Sequence, residues 1–348
     1  LWDYDVSSQP TLYDIPDGHG GRIPALIQPT KRGEIFVLDR RTGTPIAAVQ
    51  ERAVPAGKAV GDRTSPSQPY SVGMPTISGP RLTEAAMWGF SPLDQLWCRI
   101  RFRQLRYEGD FTPPGTDASL LYPGVFGGMN WGSASIDETN DYLIVNDIRL
   151  PQIMALVPRA EADRDGKKKV LRRFGAGDVK PGHGGFMPQK GTPYAALYFN
   201  FMSPLRVPCQ APPYGTLSAI NLETKKIVWQ VPMGTTRDTG PLGISMHFPM
   251  PVGLPTIGGS LVTKAGLIFF AGTQDRYLRA IDSATGREIW KARMPVGAGA
   301  TPMTYISPRS KRQFVVIAAS GSRDSAVTGD HIIAFALPKK DALGGSAH

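Results

Sequence analysis

The feature that most constrains this fold is a short repeat that occurs three times. Residues 278–290 (LRAIDSATGREIW) and 217–229 (LSAINLETKKIVW) share two apolar runs, an Asp or Asn, a Thr and a closing Trp, and residues 35–46 (IFVLDRRTGTPI) form a degenerate copy. Alternating apolar residues predict paired strands, the Asp or Asn can cap the turn, and Gly supplies a positive φ. The repeat therefore predicts antiparallel hairpins in an all-β fold.

The spacing of the repeat favours a β-propeller. Trp229 and Trp290 close successive copies and are predicted to be structural, packing between adjacent sheets. The 39 Gly and 32 Pro residues favour many short strands joined by turns. Residues 47–95 and 155–215 lack periodicity and are predicted to be inter-blade loops and insertions. We expect four or five blades here, and the remainder of a closed ring from sequence that precedes residue 1.

Charge and cysteine content narrow the functional classes. The net charge is +10, and basic runs at 167–169 and 172–173 suit either a solvated loop or attraction to an anionic membrane or acidic substrate. The basic residues are scattered and form no known motif, so nucleic acid is not an expected partner. Cys98 and Cys209 can be paired or remain unpaired core thiols, and they form no zinc motif. No run of 18 apolar residues, signal peptide, nicotinamide fingerprint or haem-attachment motif is present.

Six motifs in order carry a family resemblance. They are LWDYD (1–5), PTKRGEIFVLD (29–39), RYEGDFTPP (106–114), GGMNWG (127–132), FAGTQD (270–275) and GATPMTY (299–305). Together with the repeat, they resemble the membrane-bound pyrroloquinoline quinone (PQQ) dehydrogenases that act on glucose, quinate and shikimate. The resemblance implies an eight-bladed β-propeller of quinoprotein type with tryptophan-docking blades, of which this chain supplies roughly the C-terminal half. Residues 1–338 would belong to that single domain, and 339–348 would form a tail.

The resemblance also implies a cofactor site. Asp3 matches the catalytic aspartate and would lie against a Ca²⁺ or Mg²⁺ ion, since a hard cation prefers oxygen ligands. A carboxylate beside the quinone can remove the hydroxyl proton as hydride leaves the carbon. Lys31 matches the lysine that donates to a PQQ oxygen, and Asn130 and Asn146 fall where relatives line the PQQ pocket. Asp5 is given a structural role, and turn capping is the alternative role for each asparagine.

Further positions concern the cofactor pocket and the substrate. Asp275 matches an aspartate near the cofactor pocket, with turn capping as an equal alternative, and His247 is a candidate contact for substrate or quinone. Ser322 stands where glucose-oxidising relatives have a histidine, and Arg323 follows it. A guanidinium can pair bidentately with a carboxylate, which quinate and shikimate carry and glucose lacks.

The resemblance therefore implies a PQQ-dependent enzyme on the periplasmic side of the bacterial inner membrane. It would oxidise a cyclic polyol acid, quinate or shikimate, at a secondary hydroxyl and pass electrons to ubiquinone. A partner chain or N-terminal segment would complete the propeller and carry the membrane anchor. The alternatives are a glucose or other polyol dehydrogenase, for example of inositol, on the same scaffold, or a non-catalytic scaffolding propeller.

Overall fold

The computed structural model describes residues 2–175, 184–322, 325 and 327–338. The strands are β1 Thr11–Pro16, β2 Arg22–Pro29, β3 Ile35–Asp39, β4 Val49–Ala53, β5 Ser67–Ser71, β6 Ser119–Leu121, β7 Ala134–Asp137, β8 Tyr142–Ile148, β9 Gln152–Pro158, β10 Gly184–Met187, β11 Tyr194–Asn200, β12 Gly215–Asn221, β13 Lys226–Pro232, β14 Ser260–Val262, β15 Leu267–Phe270, β16 Tyr277–Asp282, β17 Glu288–Arg293, β18 Met303–Ile306, β19 Gln313–Gly321 and β20 Thr328–Phe335. The helices are α1 Pro92–Arg103 and α2 Arg159–Arg173, and three 3₁₀ turns span Glu84–Ala86, Thr236–Asp238 and Pro241–Gly243.

Antiparallel pairing arranges these strands in five sheets and one hairpin within the described residues. Sheet I has the order β1-β2-β3, sheet II β10-β11-β9-β6, sheet III β13-β12-β8-β7, sheet IV β14-β15-β16-β17 and sheet V β18-β19-β20, and β4 pairs with β5. Sheet IV follows chain order, as expected of a meander of short strands joined by turns. The fold is all-β with few helices, as the repeat predicts.

Four of the sheets pack face to face in the order I, III, IV, V. Their inward-facing residues alternate along each strand, so each sheet offers an apolar face to its neighbour. The buried clusters that join neighbouring sheets contain Ile27 and Val145, Leu217 and Ile268, and Leu278 and Ile317, respectively. This succession of packed antiparallel sheets is typical of propeller blades. The eight-blade count and the single domain over 1–338 remain predictions.

The repeated turn has the predicted chemistry. In sheet IV the Asp282 carboxylate accepts a hydrogen bond from the Thr285 backbone N–H at 2.9 Å, and Gly286 has a φ of +73°. In sheet III the Asn221 side chain accepts from the Thr224 N–H at 2.7 Å, but Lys225 holds the glycine position with a φ of +56°. The Asp or Asn therefore closes the turn in both copies, and only the left-handed residue differs.

Trp229 docks one sheet onto the next. Its indole N–H donates to the Ser283 carbonyl at 2.8 Å, across from sheet III to the turn of sheet IV. A Cβ added at Gly286 would lie 2.7 Å from the Trp229 ring, so the ring rests directly on that glycine. Trp290 instead meets Phe335 of sheet V edge-on at 5.5 Å between ring centroids. Both tryptophans thus lie between sheets, as their position in the repeat predicts.

Sheet II, α1 and α2 form a unit of their own, here called the side lobe. Its core contains Leu120, Val157, Val170 and Leu197, all almost fully buried. β8 and β12 are neighbours in sheet III although β9, α2, β10 and β11 lie between them in the chain, so much of the lobe is inserted into one blade. The disulfide Cys98–Cys209 ties α1 to the segment after β11. The cysteines are therefore paired, which sequence alone left open.

The side lobe refines one prediction. Residues 155–215, expected to be loops and insertions, form much of an insertion, but this insertion is regular and contains most of β9, α2, β10 and β11. Alternation was hidden in β9 and β11 because these strands are buried on both faces and therefore lack an apolar–polar period. In residues 47–95 the expectation of irregular connections holds better, since only the β4–β5 hairpin, one 3₁₀ turn and the start of α1 are regular. The predicted tail, 339–348, lies outside the described residues.

Candidate active site

The structure brings the N-terminal acidic segment onto one buried lysine. The Lys31 Nζ lies 3.2 Å from Asp3 Oδ1 and 2.5 Å from Asp5 Oδ1. Lys31 follows β2 and its side chain is only 10% exposed, whereas those of Asp3 and Asp5 are 50% and 56% exposed. The ammonium is therefore fixed by the protein, and both carboxylates remain open to an incoming group.

The two carboxylates have opposite pKa shifts. Burial raises the pKa of Asp3 above its ordinary value, and the charge of Lys31 only partly opposes this. The hydrogen bond from Lys31 lowers the pKa of Asp5. Two neighbouring acids with pKa values driven apart are typical of sites that move a proton, because one can accept it while the other stays ionised. Asp3 also has a φ of +55°, a strained conformation for a non-glycine residue.

Alternate residues of the same segment point the other way and anchor it. The Trp2 indole N–H donates to the Phe111 carbonyl at 2.7 Å, and the Tyr4 hydroxyl donates to the Pro123 carbonyl at 2.9 Å. Both rings also meet the Phe111 ring edge-on, at 5.2 and 5.6 Å. The aromatic residues thus hold the backbone so that Asp3 and Asp5 face Lys31.

A glycine pair fixes the lysine from behind. A Cβ added at Gly127 would lie 2.6 Å from Lys31 Cγ, and the φ of Gly127 is +73°. The Gly128 N–H donates to the Lys31 carbonyl at 2.5 Å. No larger residue fits at Gly127 without moving Lys31, so the conformational freedom of glycine is needed here.

Arg32, next to Lys31, is the centre of a buried polar cluster. Its guanidinium pairs with Glu34 at 2.6 Å and Asp110 at 3.1 Å, and it stacks over the Tyr70 and Phe111 rings. Burial opposes its charge, but the hydrogen bond and charge of Glu34 outweigh burial and raise the pKa of Arg32. Arg32 therefore stays charged and holds the loop that presents Lys31.

A cavity of about 390 Å³ adjoins this cluster. Arg32, Arg52, Arg81, Tyr70 and Tyr122 contribute to its walls, which suits a small polar or anionic molecule. Arg52 and Arg81 form no ion pair with any carboxylate in the described part of the chain. The cavity therefore offers cationic groups that the protein itself does not neutralise.

Asn130 makes its visible contacts with the protein itself. Its side-chain NH₂ donates to the Phe126 carbonyl at 2.7 Å, and its Oδ1 accepts from the Trp131 N–H at 2.8 Å and from the Ser7 hydroxyl at 3.3 Å. The Ser8 hydroxyl donates to the Asn130 carbonyl at 2.9 Å. Asn130 thus fastens the segment that follows Asp3 and Asp5 to the Gly127–Gly128 loop. Its predicted contact with the cofactor remains a prediction.

Asn146 and Asp275 lie on other sheets. Asn146, buried in β8, donates from its side chain to the Thr256 carbonyl at 2.9 Å. Asp275 is fully buried, pairs with Arg279 at 2.5 Å and accepts from the Thr235 N–H at 2.9 Å. The structure shows no contact between either residue and the Asp3–Lys31 pair. Asp275 joins the loop after sheet III to sheet IV, and its predicted place at the cofactor pocket remains a prediction.

Within the described residues, His247 and Ser322 form no hydrogen bond or ion pair with Asp3, Asp5 or Lys31. His247 is exposed, with a φ of +58°, in the loop between sheets III and IV. The Ser322 hydroxyl oxygen is buried and has no hydrogen-bond partner in the part of the chain that the structure describes, and Ser322 packs against Gly297. Arg323 lies outside the described residues. Their predicted contacts with substrate remain predictions.

The residues next to Asp3 make contacts in the site that were not predicted from the sequence. Asp5, expected to be structural, lies closer to Lys31 than Asp3 does, and Trp2, Tyr4 and Arg32 were not singled out. The alternation of aromatic and acidic residues in Trp-Asp-Tyr-Asp was the available signal, although Asp3, with a φ of +55°, departs from the extended conformation on which such a period rests.

The exposed carboxylates fit part of a metal and quinone site. Oxygen ligands from Asp3 and Asp5 suit a hard cation, and the held ammonium of Lys31 suits an anionic quinone oxygen. Across residues 2–175, 184–322, 325 and 327–338, no three His, Cys, Asp or Glu side chains are grouped so as to hold a metal ion.

Comparisons with known proteins give the family of the chain. Residues 1–315 match the PQQ family described as glucose/ethanol/alcohol dehydrogenase, beta-propeller domain. Two relatives are a "Probable quinate dehydrogenase (quinone)" of Xanthomonas campestris pv. juglandis, 51% identical, and a "Quinate/shikimate dehydrogenase (quinone)" of Acinetobacter baylyi, 48% identical. Each match covers 97% of this chain but 42% and 41% of the relatives, so the chain spans about two fifths of their length.

A solved structure supports the fold alone. The quinohemoprotein alcohol dehydrogenase from Comamonas testosteroni superposes with a TM-score of 0.54 at 21% identity, covering 100% of this chain and 39% of that one. With the family match over most of the chain, the sheet succession and the docked tryptophan agree. The chain belongs to the PQQ β-propeller family of glucose, ethanol and alcohol dehydrogenases.

Proposed function

We propose that the protein containing this chain is a PQQ-dependent dehydrogenase that oxidises quinate or shikimate at a secondary hydroxyl and passes the electrons to ubiquinone. The names of the 51% and 48% identical relatives state quinate or quinate/shikimate as substrate and a quinone as acceptor. Membership in the PQQ family supports the cofactor. The contact between Asp3 and Lys31 carries the proposal, because it places a base and a cation side by side at an open site.

Asp3 acts as the general base in this proposal. Its carboxylate accepts the proton of the substrate hydroxyl, and a raised pKa makes it a stronger proton acceptor than an ordinary aspartate. Lys31 stabilises the ionised state of the pair before the proton arrives, and its ammonium is held between the two carboxylates. Asp5, with a lowered pKa, stays ionised beside Lys31 and keeps the ammonium in place.

We assign the contacts of the cofactor and of the metal ion to residues of this chain. PQQ, when bound, supplies the two-electron oxidant, and Ca²⁺ or Mg²⁺ supplies a Lewis acid. Lys31 would donate to a cofactor oxygen, Asn130, Asn146 and Asp275 would border the pocket, and Asp3 would share its carboxylate with the metal. The half-exposed Asp3 and the fixed Lys31 support this assignment.

The substrate side is assigned to the loop after β19 and to the long loop before β14. Arg323 would pair with the substrate carboxylate, Ser322 would contact a hydroxyl, and His247 would border the entry. The orphaned Ser322 hydroxyl oxygen supports a polar ligand at this position, because buried polar atoms are normally hydrogen-bonded.

We place the protein on the periplasmic side of the inner membrane. The fully buried Cys98–Cys209 disulfide supports an oxidising compartment, because such bonds are rare in reducing ones. In the described part of the chain, no helix is long and apolar enough to cross a bilayer.

The test is Asp3→Asn in the full-length holoenzyme, with dye reduction measured on quinate, shikimate, glucose and myo-inositol. We expect the wild type to prefer quinate or shikimate, and the variant to lose about 10²–10⁴-fold in kcat with PQQ still bound, because only the proton acceptor is removed. Asp5→Asn is the matched control, with a smaller loss. Equal activity of wild type and Asp3→Asn would remove Asp3 from catalysis, and a preference for glucose or inositol would overturn the substrate assignment.

A further inference from the structure

Helix α1 presents an apolar face to solvent. Leu93, Leu96, Trp97 and Ile100 are 80%, 51%, 39% and 51% exposed. They follow the i, i+3, i+4, i+7 spacing and so form one continuous stripe along the helix. Large apolar side chains clustered in this way on a water-soluble surface mark an interaction site.

The rotation of α1 about its own axis is fixed. On another side of α1, Asp94 and Cys98 are buried, and Cys98 is bonded to Cys209. The helix start is also fixed, since the Ser91 hydroxyl accepts from the Asp94 N–H and Pro92 occupies the first turn. The disulfide and the cap hold α1 in one rotation, so the stripe cannot turn into the lobe core.

Cations border the stripe. At 100° per residue, Arg99 and Arg103 lie along one margin of it and Arg101 along the other. Arg99 pairs with Glu84 at 2.7 Å, whereas Arg103 has no carboxylate partner among the described residues. Apolar residues with Trp on one face and arginines at the margins are the pattern of a helix that lies in a membrane interface.

The end of α2 adds positive charge beside α1. The Arg101 guanidinium donates to the Phe174 carbonyl at 2.8 Å, which places the last turn of α2 next to the stripe. On α2, Lys167, Lys168 and Arg172 are exposed and form no ion pair within the part of the chain that the structure describes. The charge run that the sequence left between a solvated loop and a membrane contact therefore lies on the helix whose C-terminal end contacts Arg101 at the margin of the stripe.

We propose that α1 and the C-terminal end of α2 dock on the surface of an anionic bilayer, with the α1 stripe at the level of the headgroups. Unpaired lysines favour this occupant over a protein, because Lys is depleted in protein interfaces whereas anionic lipid attracts Lys and Arg. The inference rests on the proposed location at a membrane and is independent of the substrate. It would hold the side lobe against the bilayer in which ubiquinone dissolves.

A spin label on the stripe tests this contact. Both cysteines of the chain are in the disulfide, so Leu96→Cys introduces a single reactive thiol, provided that any free cysteine elsewhere in the full-length protein is replaced by serine. The labelled holoenzyme is reconstituted in phosphatidylethanolamine/phosphatidylglycerol vesicles, and collisions of the nitroxide with oxygen and with a water-soluble nickel chelate are measured. Ser310→Cys, at an exposed site in the turn between β18 and β19, is the control.

We expect oxygen collisions to dominate at position 96 and nickel collisions at position 310. Replacing phosphatidylglycerol by phosphatidylcholine should abolish the difference, and the variant Lys167→Gln/Lys168→Gln/Arg172→Gln should lower the ratio of oxygen to nickel collisions at position 96 by roughly tenfold at low salt. Nickel collisions at position 96 equal to those at 310 would overturn the proposal. So would protection from both reagents in detergent as well as in vesicles, since protein would then cover the stripe. Quinate oxidation by the same labelled enzyme in detergent separates this result from a failure of the proposed activity.

Discussion

Sheet IV and the side lobe contrast in how far apart in the chain their contacts lie. In sheet IV each strand pairs with the one before it, from β14 to β17. The lobe joins α1 to a segment 111 residues later through Cys98–Cys209, and its strand β6 pairs with β9 across two strands of sheet III. Sheet IV is assembled from strands that are adjacent in the chain, whereas the side lobe forms only when segments distant in the chain come together.

The difference has a thermodynamic consequence. Closing a long loop costs conformational entropy before any contact forms. The loss of conformational entropy on folding is therefore larger for the side lobe than for the meander of sheet IV. A disulfide reduces that loss by restricting the unfolded chain. The blades need no such link because each hairpin carries its own turn chemistry, such as the Asp282 cap of Thr285.

The candidate site lies where the two regions meet. Trp2 and Tyr4 pack against an apolar cluster that contains Leu121 and Met154 of the lobe and Ile148 of sheet III. Lys31, in contrast, follows β2 of sheet I. The blades therefore hold the cation, and the lobe helps to hold the segment that carries the acids, which explains why a blade protein would retain a costly insertion.

The largest predicted effect follows from removing the disulfide of the side lobe, which tests whether the lobe and the blades differ in stability. Cys98→Ala should lower the free energy of unfolding of the lobe by about 3–5 kcal/mol, because the closed loop is long and both sulfurs are fully buried. Hydrogen exchange followed by mass spectrometry should show faster exchange in peptides from β9 and β11 and unchanged exchange in β16. Cys209→Ala and the double variant should match it, since one bond is lost in each case. Equal acceleration in β16 would show that lobe and blades unfold as one unit.

The next effect concerns the contact between blades. Trp229→Ala should lower the free energy of unfolding by about 2–3 kcal/mol, because it removes a ring packed on Gly286 and the hydrogen bond to Ser283. Trp290→Ala is the matched variant at the same repeat position, where the ring is 41% exposed and meets Phe335 edge-on, so about 1–2 kcal/mol is expected. Urea denaturation of both variants measures the difference. A larger loss at Trp290 would contradict the docking role assigned to Trp229.

The same contrast explains how much of the fold was predictable. The turns at Asp282 and Asn221 and the docking tryptophans follow from residues within thirteen positions of one another, so their chemistry is visible in the repeat. The lobe is not visible because its pairing of Cys98 with Cys209 and of β6 with β9 depends on segments that no local pattern connects. A buried strand without polar alternation also resembles an apolar loop in sequence.

The candidate site also combines features that could be predicted from the sequence with features that depend on the folded structure. Asp3 and Lys31 were predicted from family motifs, and the structure brings them into contact across 28 residues of chain. Asp5 was expected to be structural, but its contact with Lys31 and that of Tyr4 with Phe111 were not predicted, because these partners reach the segment only after folding. Sequence identified the reactive groups, and tertiary packing decides which neighbours orient them.

The smallest predicted effect concerns the turn between β12 and β13, and it compares the copies of the repeat with one another. Lys225 occupies the position held by Gly286 and Gly43 in the other copies of the repeat, and it adopts the same left-handed conformation, with a φ of +56°. A side chain in this region costs about 1 kcal/mol, which glycine avoids although it also adds freedom to the unfolded chain. Lys225→Gly should therefore stabilise the protein by about 0.5–1 kcal/mol in urea denaturation, and Lys226→Gly, one residue later in β13, should destabilise it. If Lys225→Gly were destabilising as well, the turn would owe its shape to packing between sheets, and the claim that each blade carries its own turn chemistry would be wrong.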